Sequence, residues 1–305
     1  MTISLASAFH PRGEIPRLKK FLSQLRDAYA QMCVSVPPTA HTDDIRVLEQ
    51  LGIAVVVARD WSHGRHASLQ LALESSATHI HYTDLDRLLR WVETRPDEWR
   101  ATVARAQECD CLIVGRTARA SATHPRALIE TEAISNLVIS HLLANCHCKP
   151  RSGEAIPGSD VEIASSQSFD SASLRSGSLL AMTTPISALI RARPRPIDFS
   201  AGSKGFSRRA AEFLIAHSPP GRALGMDAEW IVLLHRAGSA IDYVEVDGLD
   251  WESADQFAEQ AADADAQRRA AEGYDADPKH WARRVAVAME IVQAGLDAAQ
   301  RTLKT

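Results

Sequence analysis

Two aspartates one residue apart, Asp84 and Asp86, close the run His79-Ile80-His81-Tyr82-Thr83-Asp84-Leu85-Asp86. If the run is a strand that enters a helix in an open parallel sheet, both carboxylates face the crevice at the strand ends. Carboxylate oxygens are hard ligands suited to Mg2+ or Mn2+, and such a cation can hold a diphosphate in turn. The same two residues also suit a plain helix start, with Asp84 as cap and Asp86 beside the helix dipole. A second acidic pair, Asp227 and Glu229, heads a later helical segment, and Lys204 lies between Gly202 and Gly205. A carboxylate partly buried in a crevice can serve as a base. Asp227 reads equally as a helix N-terminal carboxylate, and Lys204 as a solvated loop lysine.

The cysteines offer a rival chemistry. Cys109-x-Cys111 and Cys146-His147-Cys148 carry the donor types of a tetrahedral zinc site. The C-x-C spacing is tighter than such sites use, and Cys111 begins an apolar strand, so these thiols read better as small hydrophobes. Five cysteines is an odd count, which argues against a disulfide framework. His79 and His81 alternate along one strand and read as a core or interface pair.

Positioning these groups requires alternating strands and helices, and the apolar pattern supplies them. Ile3–Phe9, Met32–Val36, Ile53–Ala58, His79–Thr83 and Cys111–Val114 read as strands. Ile53–Ala58 is β-branched enough to be covered on both faces. Between them, Pro16 opens a helix with Leu18, Phe21, Leu22 and Leu25 on one face. Thr42 or Asp43 caps the next, Gly52 ends it, and Gly64–Ser75, Arg87–Glu93 and Glu98–Gln107 follow. This order implies a mostly parallel, Rossmann-like sheet with helices on both faces. Leu128–Leu143 is then a long helix with Ile129, Ala133, Ile134, Leu137 and Leu142. Residues 149–178 are rich in Ser, Gly and Pro and form either a mobile loop or an irregular extension. Phe206–Ala216 and Asp227–Arg236 read as helices and Ile241–Val246 as a strand. Residues 252–305 form a helical C-terminal extension. There Asp277 and Pro278 start a helix whose stripe Trp281, Val285, Ala288, Val292, Leu296, Ala299 and Leu303 is core or the face of a homodimer.

The chain has 305 residues, 45% hydrophobic and 24% charged, enough for one large α/β domain with appendages. A net charge of −4 provides no footprint for a nucleic acid polymer. No stretch reaches the ~18 apolar residues of a membrane span. Met1–Phe9 lacks a basic leader, so a cytoplasmic location is expected.

At the segment GRHASLQLALESSATHIHYTDLD, Gly64–Asp86, the chain resembles the GT-A glycosyltransferases, in particular family 2-type and mannosylglycerate-synthase-like enzymes. Cys111–Arg116 (CLIVGR) is similar to that family's next strand. Ser200–Leu214 (SAGSKGFSRRAAEFL) is similar to its acceptor-side glycine segment, and Gly225–Trp251 to its late acidic helix and strand. The matches span most of residues 1–251, which would form the nucleotide-sugar-binding and acceptor domain of a GT-A fold. The resemblance implies transfer of a sugar from a nucleoside-diphosphate sugar to a small soluble hydroxyl acceptor, assisted by Mg2+ or Mn2+. By the same match Asp84 and Asp86 would hold metal and donor, Arg65 would face the diphosphate, and Ala8 and Pro37 would flank the donor. Asp227 or Glu229 would act at the anomeric carbon, Gly202 and Lys204 would meet the acceptor, and His235, like His217, is a candidate late metal ligand. The first strand ends Ser7-Ala8-Phe9-His10, without the family's Pro-x-Tyr/Phe-Asn. The second ends Val36-Pro37-Pro38-Thr39, where a base-reading Asp is usual, so the resemblance names no nucleotide. Two alternatives are nucleotidyl transfer on a similar scaffold and a non-catalytic nucleotide-sugar-binding protein. The first needs a richer Gly/Arg/Lys loop than Ser7–Glu14 provides. A NAD(P) enzyme is disfavoured because no G-x-G-x-x-G follows the first strand.

Overall fold

Alternation within each strand decides how the layers form. In β1 (Ile3–Ala8), Ile3 and Leu5 point to one side and Ala6 to the other. In β5 (Cys111–Arg116), Leu112 and Val114 oppose Cys111 and Ile113. Both faces are apolar, so both must be covered. A computed structural model describes residues 2–60, 62–145, 195–220, 224–256 and 258–303. It shows a seven-stranded sheet in the order β3-β2-β1-β4-β6-β5-β7, with β2 Gln31–Val36, β3 Ala54–Val57, β4 His79–Thr83, β6 Ser203–Ser207 and β7 Ile241–Val246. All neighbours are parallel except β6, which runs antiparallel to both β4 and β5. The architecture is therefore α/β with a mostly parallel mixed sheet, as expected.

One face carries α1 (Ile15–Ala28), α2 (Thr42–Gln50), α4 (Leu85–Thr94) and α5 (Pro96–Arg105), packed through Leu18, Leu48, Leu88, Trp91 and Trp99. The other carries α3 (Gly64–Leu73), α8 (Arg208–His217) and α9 (Met226–Arg236), packed through Leu69, Leu214, Trp230 and Ile231. Outside them lie α6 (Ala118–Ser121), α7 (Arg126–Asn145), α10 (Ala264–Asp275) and α11 (Pro278–Gln300).

Five expectations change. Ile53–Ala58 is not covered on both faces: β3 is an edge strand and its Val57 is 52% exposed. Ser203–Ser207 is a strand, where the sequence suggested only a glycine segment leading into a helix. The N-cap of α2 is His41, without a side-chain cap bond, so Thr42 and Asp43 fall in its first turn. On α7 the larger apolar residues Ile134 and Leu137 face outward, while Thr131, Glu132, Ser135, Asn136 and Ser140 are buried. Likewise the α11 stripe is rotated. Ala288, Ile291, Gly295 and Ala298 are buried, and Val285 is half exposed. The cause is a close crossing: a Cβ on Gly295 would come within 2.3 Å of Ile139 Cδ1 on α7 and 3.3 Å of Ala228 Cβ on α9. Small residues win where helix backbones approach this closely. Asp277 caps α11 as expected, accepting from the Lys279 amide at 2.9 Å. Among the described residues α7 alone is long and apolar enough to cross a membrane, and it packs against α11. Residues 149–178 and the Cys146-His147-Cys148 run lie outside the described residues. Burial raises the thiol pKa of Cys111, as it does those of Cys33 and Cys109, both up to about 12.

β4 is fixed to its neighbours by a buried polar chain. Trp99 Nε1 donates to Tyr29 Oη at 3.1 Å, Tyr29 lies 2.7 Å from His81 Nδ1, and His81 Nε2 lies 2.9 Å from Ser203 Oγ. Indole can only donate, so Tyr29 accepts from it and gives its own proton to Nδ1. His81 then carries hydrogen on Nε2 and donates to Ser203. Burial keeps the ring neutral and lowers its pKa to about 4. Below about pH 6.5 the unfolded chain binds a proton here that the native form refuses. Stability is therefore lost as pH falls from 6.5 towards 4, by about 3 kcal/mol from this residue. In urea titrations across that window, His81→Leu should show a pH dependence shallower by about that amount. At pH 7 it should be less stable by about 1–3 kcal/mol, because two buried hydroxyls lose their partner.

Candidate active site

The strand order places a switch point at β1, whose two neighbours β2 and β4 are reached by connections running in opposite directions. Clefts at the carboxyl ends of strands open at such points. Ala6 pairs with Tyr82 in register, and two residues further along lie Ala8 and Asp84. A cavity of about 620 Å³ opens there. It is lined by Ala8, Pro37, Arg65, Asp84, Asp86 and Gly202, six of the residues singled out from the sequence.

Asp84 occupies the N-cap position of α4, with extended φ −67° and ψ 136°, but makes no capping bond with its side chain. Its carboxylate accepts from Tyr82 Oη at 3.1 Å and faces Arg65 Nη2 at 3.7 Å. Asp84 is thus the N-cap residue by position, as the plain helix-start reading expects, but its carboxylate turns to Tyr82 and Arg65 and caps no helix amide. Asp86 is in the first turn and accepts from the Arg87 amide at 2.8 Å. Burial, reinforced by the charges of Glu252 and Asp84, pushes its carboxyl up to about 7. Of the close acidic neighbours, Asp86 rather than Glu252 takes the proton, because Arg87 grips Glu252 with Nε at 3.2 Å and Nη2 at 3.1 Å. Arg87 Nη1 also donates to the Ala201 carbonyl. Gly202 makes that approach feasible. Its φ is +78°, and a Cβ there would lie 2.5 Å from Arg87 Nη1 and 3.6 Å from Asp84 Oδ2.

Beneath Asp84 the charges are locked. Arg65 Nη1 meets Asp227 Oδ2 at 2.8 Å, and Lys204 Nζ meets Asp227 Oδ1 at 2.6 Å. Lys204 also donates to the Phe199 carbonyl at 3.0 Å and is fully buried. Burial alone would raise the Asp227 carboxyl, but Arg65 and then Lys204 outweigh it and hold it below the usual carboxylate range. Lys204 is thus neither a solvated loop lysine nor a group standing free for an acceptor anion. Asp227, 3% exposed, is not on the cavity wall; it is a tether for Arg65. Glu229 does not join it. Residues two apart on a helix point roughly opposite ways, and Glu229 pairs with Arg301 at 2.6 Å. His235 lies near the far end of α9 and His217 at the end of α8; neither lines the cavity. Among the described residues no group of three or more His, Cys, Asp and Glu is arranged to hold a metal. A cation between Asp84 and Asp86 would need ligand and water oxygens to complete its shell.

Reasoning from sequence missed the opposite wall. Trp251 and Glu252 follow β7, and Tyr274, Arg283, Arg284 and Val287 come from α10 and α11. No local pattern marks them; only the packing of α11 against α7 and α9 brings them over the cleft. The chain matches no family model, no curated protein and no solved structure.

The tether is testable. Asp227→Ala leaves Lys204 and Arg65 as buried cations without their shared anion and should cost about 3–5 kcal/mol of unfolding free energy. Adding Lys204→Met should recover part of that loss in the double variant. Equal stability of Asp227→Ala and wild type in chemical denaturation would remove the tether.

Proposed function

We propose that the protein is a metal-dependent glycosyltransferase of the GT-A type, taking a nucleoside-diphosphate sugar as donor and a small hydroxyl compound as acceptor. The observation that carries this reading is the Asp84–Asp86 turn, which sits at the carboxyl end of β4 in one cavity with Ala8, Pro37 and Arg65. Asp86 supports the metal. A carboxyl pushed up to about 7 by burial, and then by the charges of Glu252 and Asp84, gains from a cation that offsets the cost of ionising it there. Mg2+ or Mn2+ would be held by Asp84 and Asp86, and when bound it supplies the positive charge that stabilises a departing diphosphate. Arg65 adds a fixed guanidinium beside the turn, held in its rotamer by Asp227. Ala8, Pro37 and Gly64 leave room for a planar base and ribose between the ends of β1, β2 and α3. With Asp227 shielded and charge-paired, the reading assigns it the positioning of Arg65, not proton abstraction.

Two outcomes follow. A panel of UDP- and GDP-sugars with Mn2+ should raise the melting temperature for at least one donor, and Asp84→Ala and Asp86→Ala should each abolish that shift and donor turnover. Retention of both by either variant would sink the reading. Mn2+ affinity should also depend on pH. A protonated Asp86 cannot ligate, so affinity should fall towards tenfold per pH unit below about 7 and level off above it. Asp86→Asn should bind weakly with no such slope.

A further inference from the structure

Two histidines at the start of α3 have no part in the site described above. His63 stands at the N-cap and His66 in the first turn, three positions apart, so their side chains are neighbours on the helix. The rings stack with centres 6.1 Å apart and planes inclined at 25°. His66 is 6% exposed and His63 is half-buried. Among the described residues, Nδ1 and Nε2 of His66 and Nδ1 of His63 are buried and make no hydrogen bond. His81 is the contrast, with Tyr29 on one nitrogen and Ser203 on the other. A buried polar atom left unpaired costs free energy, so three of them on two adjacent rings call for a ligand.

The ring chemistry narrows that ligand. A neutral imidazole offers one lone pair and one N–H. Burial, and then the charge of His63, lower the pKa of His66, which leaves its lone pair free of a proton at neutral pH. The Ser218 backbone favours a proton on the same ring without forming a hydrogen bond to it, and so lies where it can take up the N–H of a ligating imidazole. Paired imidazoles suit Zn2+, Ni2+ or Cu2+, whereas Mg2+ and Mn2+ prefer oxygen. The spacing also fits one ion. With about 2.0–2.1 Å from metal to nitrogen and about 1.2 Å from nitrogen to ring centre, two rings on one metal have centres up to roughly 6.5 Å apart. Asp60, the nearest carboxylate along the chain, is taken by Ser62, the His63 amide and Arg59. Among the described residues no third His, Cys, Asp or Glu completes the set. Water would fill the remaining positions, which makes the ion exchangeable, unlike the closed shell of a structural zinc. Neither histidine lines the cavity, but Gly64 and Arg65 between them do. An ion on the two rings would therefore pin the turn that carries Arg65 from its other side.

We propose that His63 and His66 bind one borderline transition-metal ion of the Zn2+ class, at a site separate from the Asp84–Asp86 turn and independent of the transferase reading. Calorimetry on the full chain with Zn2+ alone tests it. His63→Ala should weaken Zn2+ binding tenfold or more with an unchanged melting temperature in the absence of metal, because that ring is only half-buried. His66→Gln, which keeps most of the buried volume, should weaken it as much. The Cu2+-loaded protein should show two imidazole nitrogens in its electron paramagnetic resonance splitting, and one in each variant. Histidine-dependent Zn2+ binding should persist in the Asp84→Ala/Asp86→Ala double variant and in excess Mn2+. Wild-type Zn2+ affinity in both histidine variants overturns the proposal, as does loss of all binding with the two aspartates. Absence of Zn2+ binding to the wild-type chain also overturns it and leaves the ring nitrogens to water.

Discussion

Asp227 joins three elements that are far apart in the chain. Its carboxylate takes Lys204 from β6 on one oxygen and Arg65 from α3 on the other, and Arg65 continues to Asp84 on the β4–α4 turn. Lys204, Arg65 and Asp227 are buried, and Asp84 keeps about a quarter of its side chain exposed. A buried ion costs several kcal/mol unless its partners are close and its remaining donors are satisfied. This cluster meets that condition, with contacts of 2.6 and 2.8 Å and a backbone carbonyl for the lysine. The consequence is directional: Arg65 cannot turn away without stranding Asp227, so a positive group is fixed beside the two carboxylates of the turn.

The antiparallel strand makes this possible. A parallel strand between β4 and β5 would need its own crossover, whereas β6 enters from the Phe199–Gly202 turn and runs against both neighbours. The alternation of its residues then divides two tasks between the faces. Lys204 and Phe206 go to the α9 side, while Ser203 receives His81 on the other. Gly205 is obligatory there, because a Cβ would sit 2.6 Å from Ala106 Cβ at the end of α5. Gly202, one residue before the strand, closes the other side of the carboxylate turn through Arg87. One short segment therefore sets both the ion cluster below the site and the shape of its rim.

Across the cleft, α11 has two faces at work. Its small residues Ala288, Gly295 and Ala298, with Ile291, press against α7 and α9, and an adjacent face presents Arg283, Arg284 and Val287 to the cavity. The helix lies close enough to do both because Gly295 admits Ile139. Glu252 and Asp255, in the 3-10 turn before α10, carry the same linkage to the first half of the chain through Arg87, Arg17 and Arg90. Residues after 251 thus complete the wall of the cleft as well as extending the fold.

By itself the sequence determined what depends on local order. Strand β4 was legible residue by residue. The β-α alternation, the Pro and Gly boundaries and the mostly parallel sheet followed from periodicities of 2 and 3.6, which are written into neighbouring residues. The position of the Asp84–Asp86 turn at the end of β4 was legible for the same reason, whereas Ala8, Pro37 and Arg65 were singled out by the resemblance alone and share a cavity with the turn because strand ends and a helix start meet on one edge of the sheet. Only the tertiary structure decided which charges meet. Ser203–Ser207 holds a lysine and a glycine and carries no strand pattern; it is a strand because β4 and β5 on either side satisfy its backbone. Asp227 and Glu229 look equivalent in the chain, yet helix geometry sends one to Arg65 and the other to Arg301. Arg87 finds Glu252 across 165 residues, and Arg283 reaches the cleft only through the crossing of α11 over α7 and α9. Charge pairing at such separations is set by packing, and no spacing in the sequence encodes it.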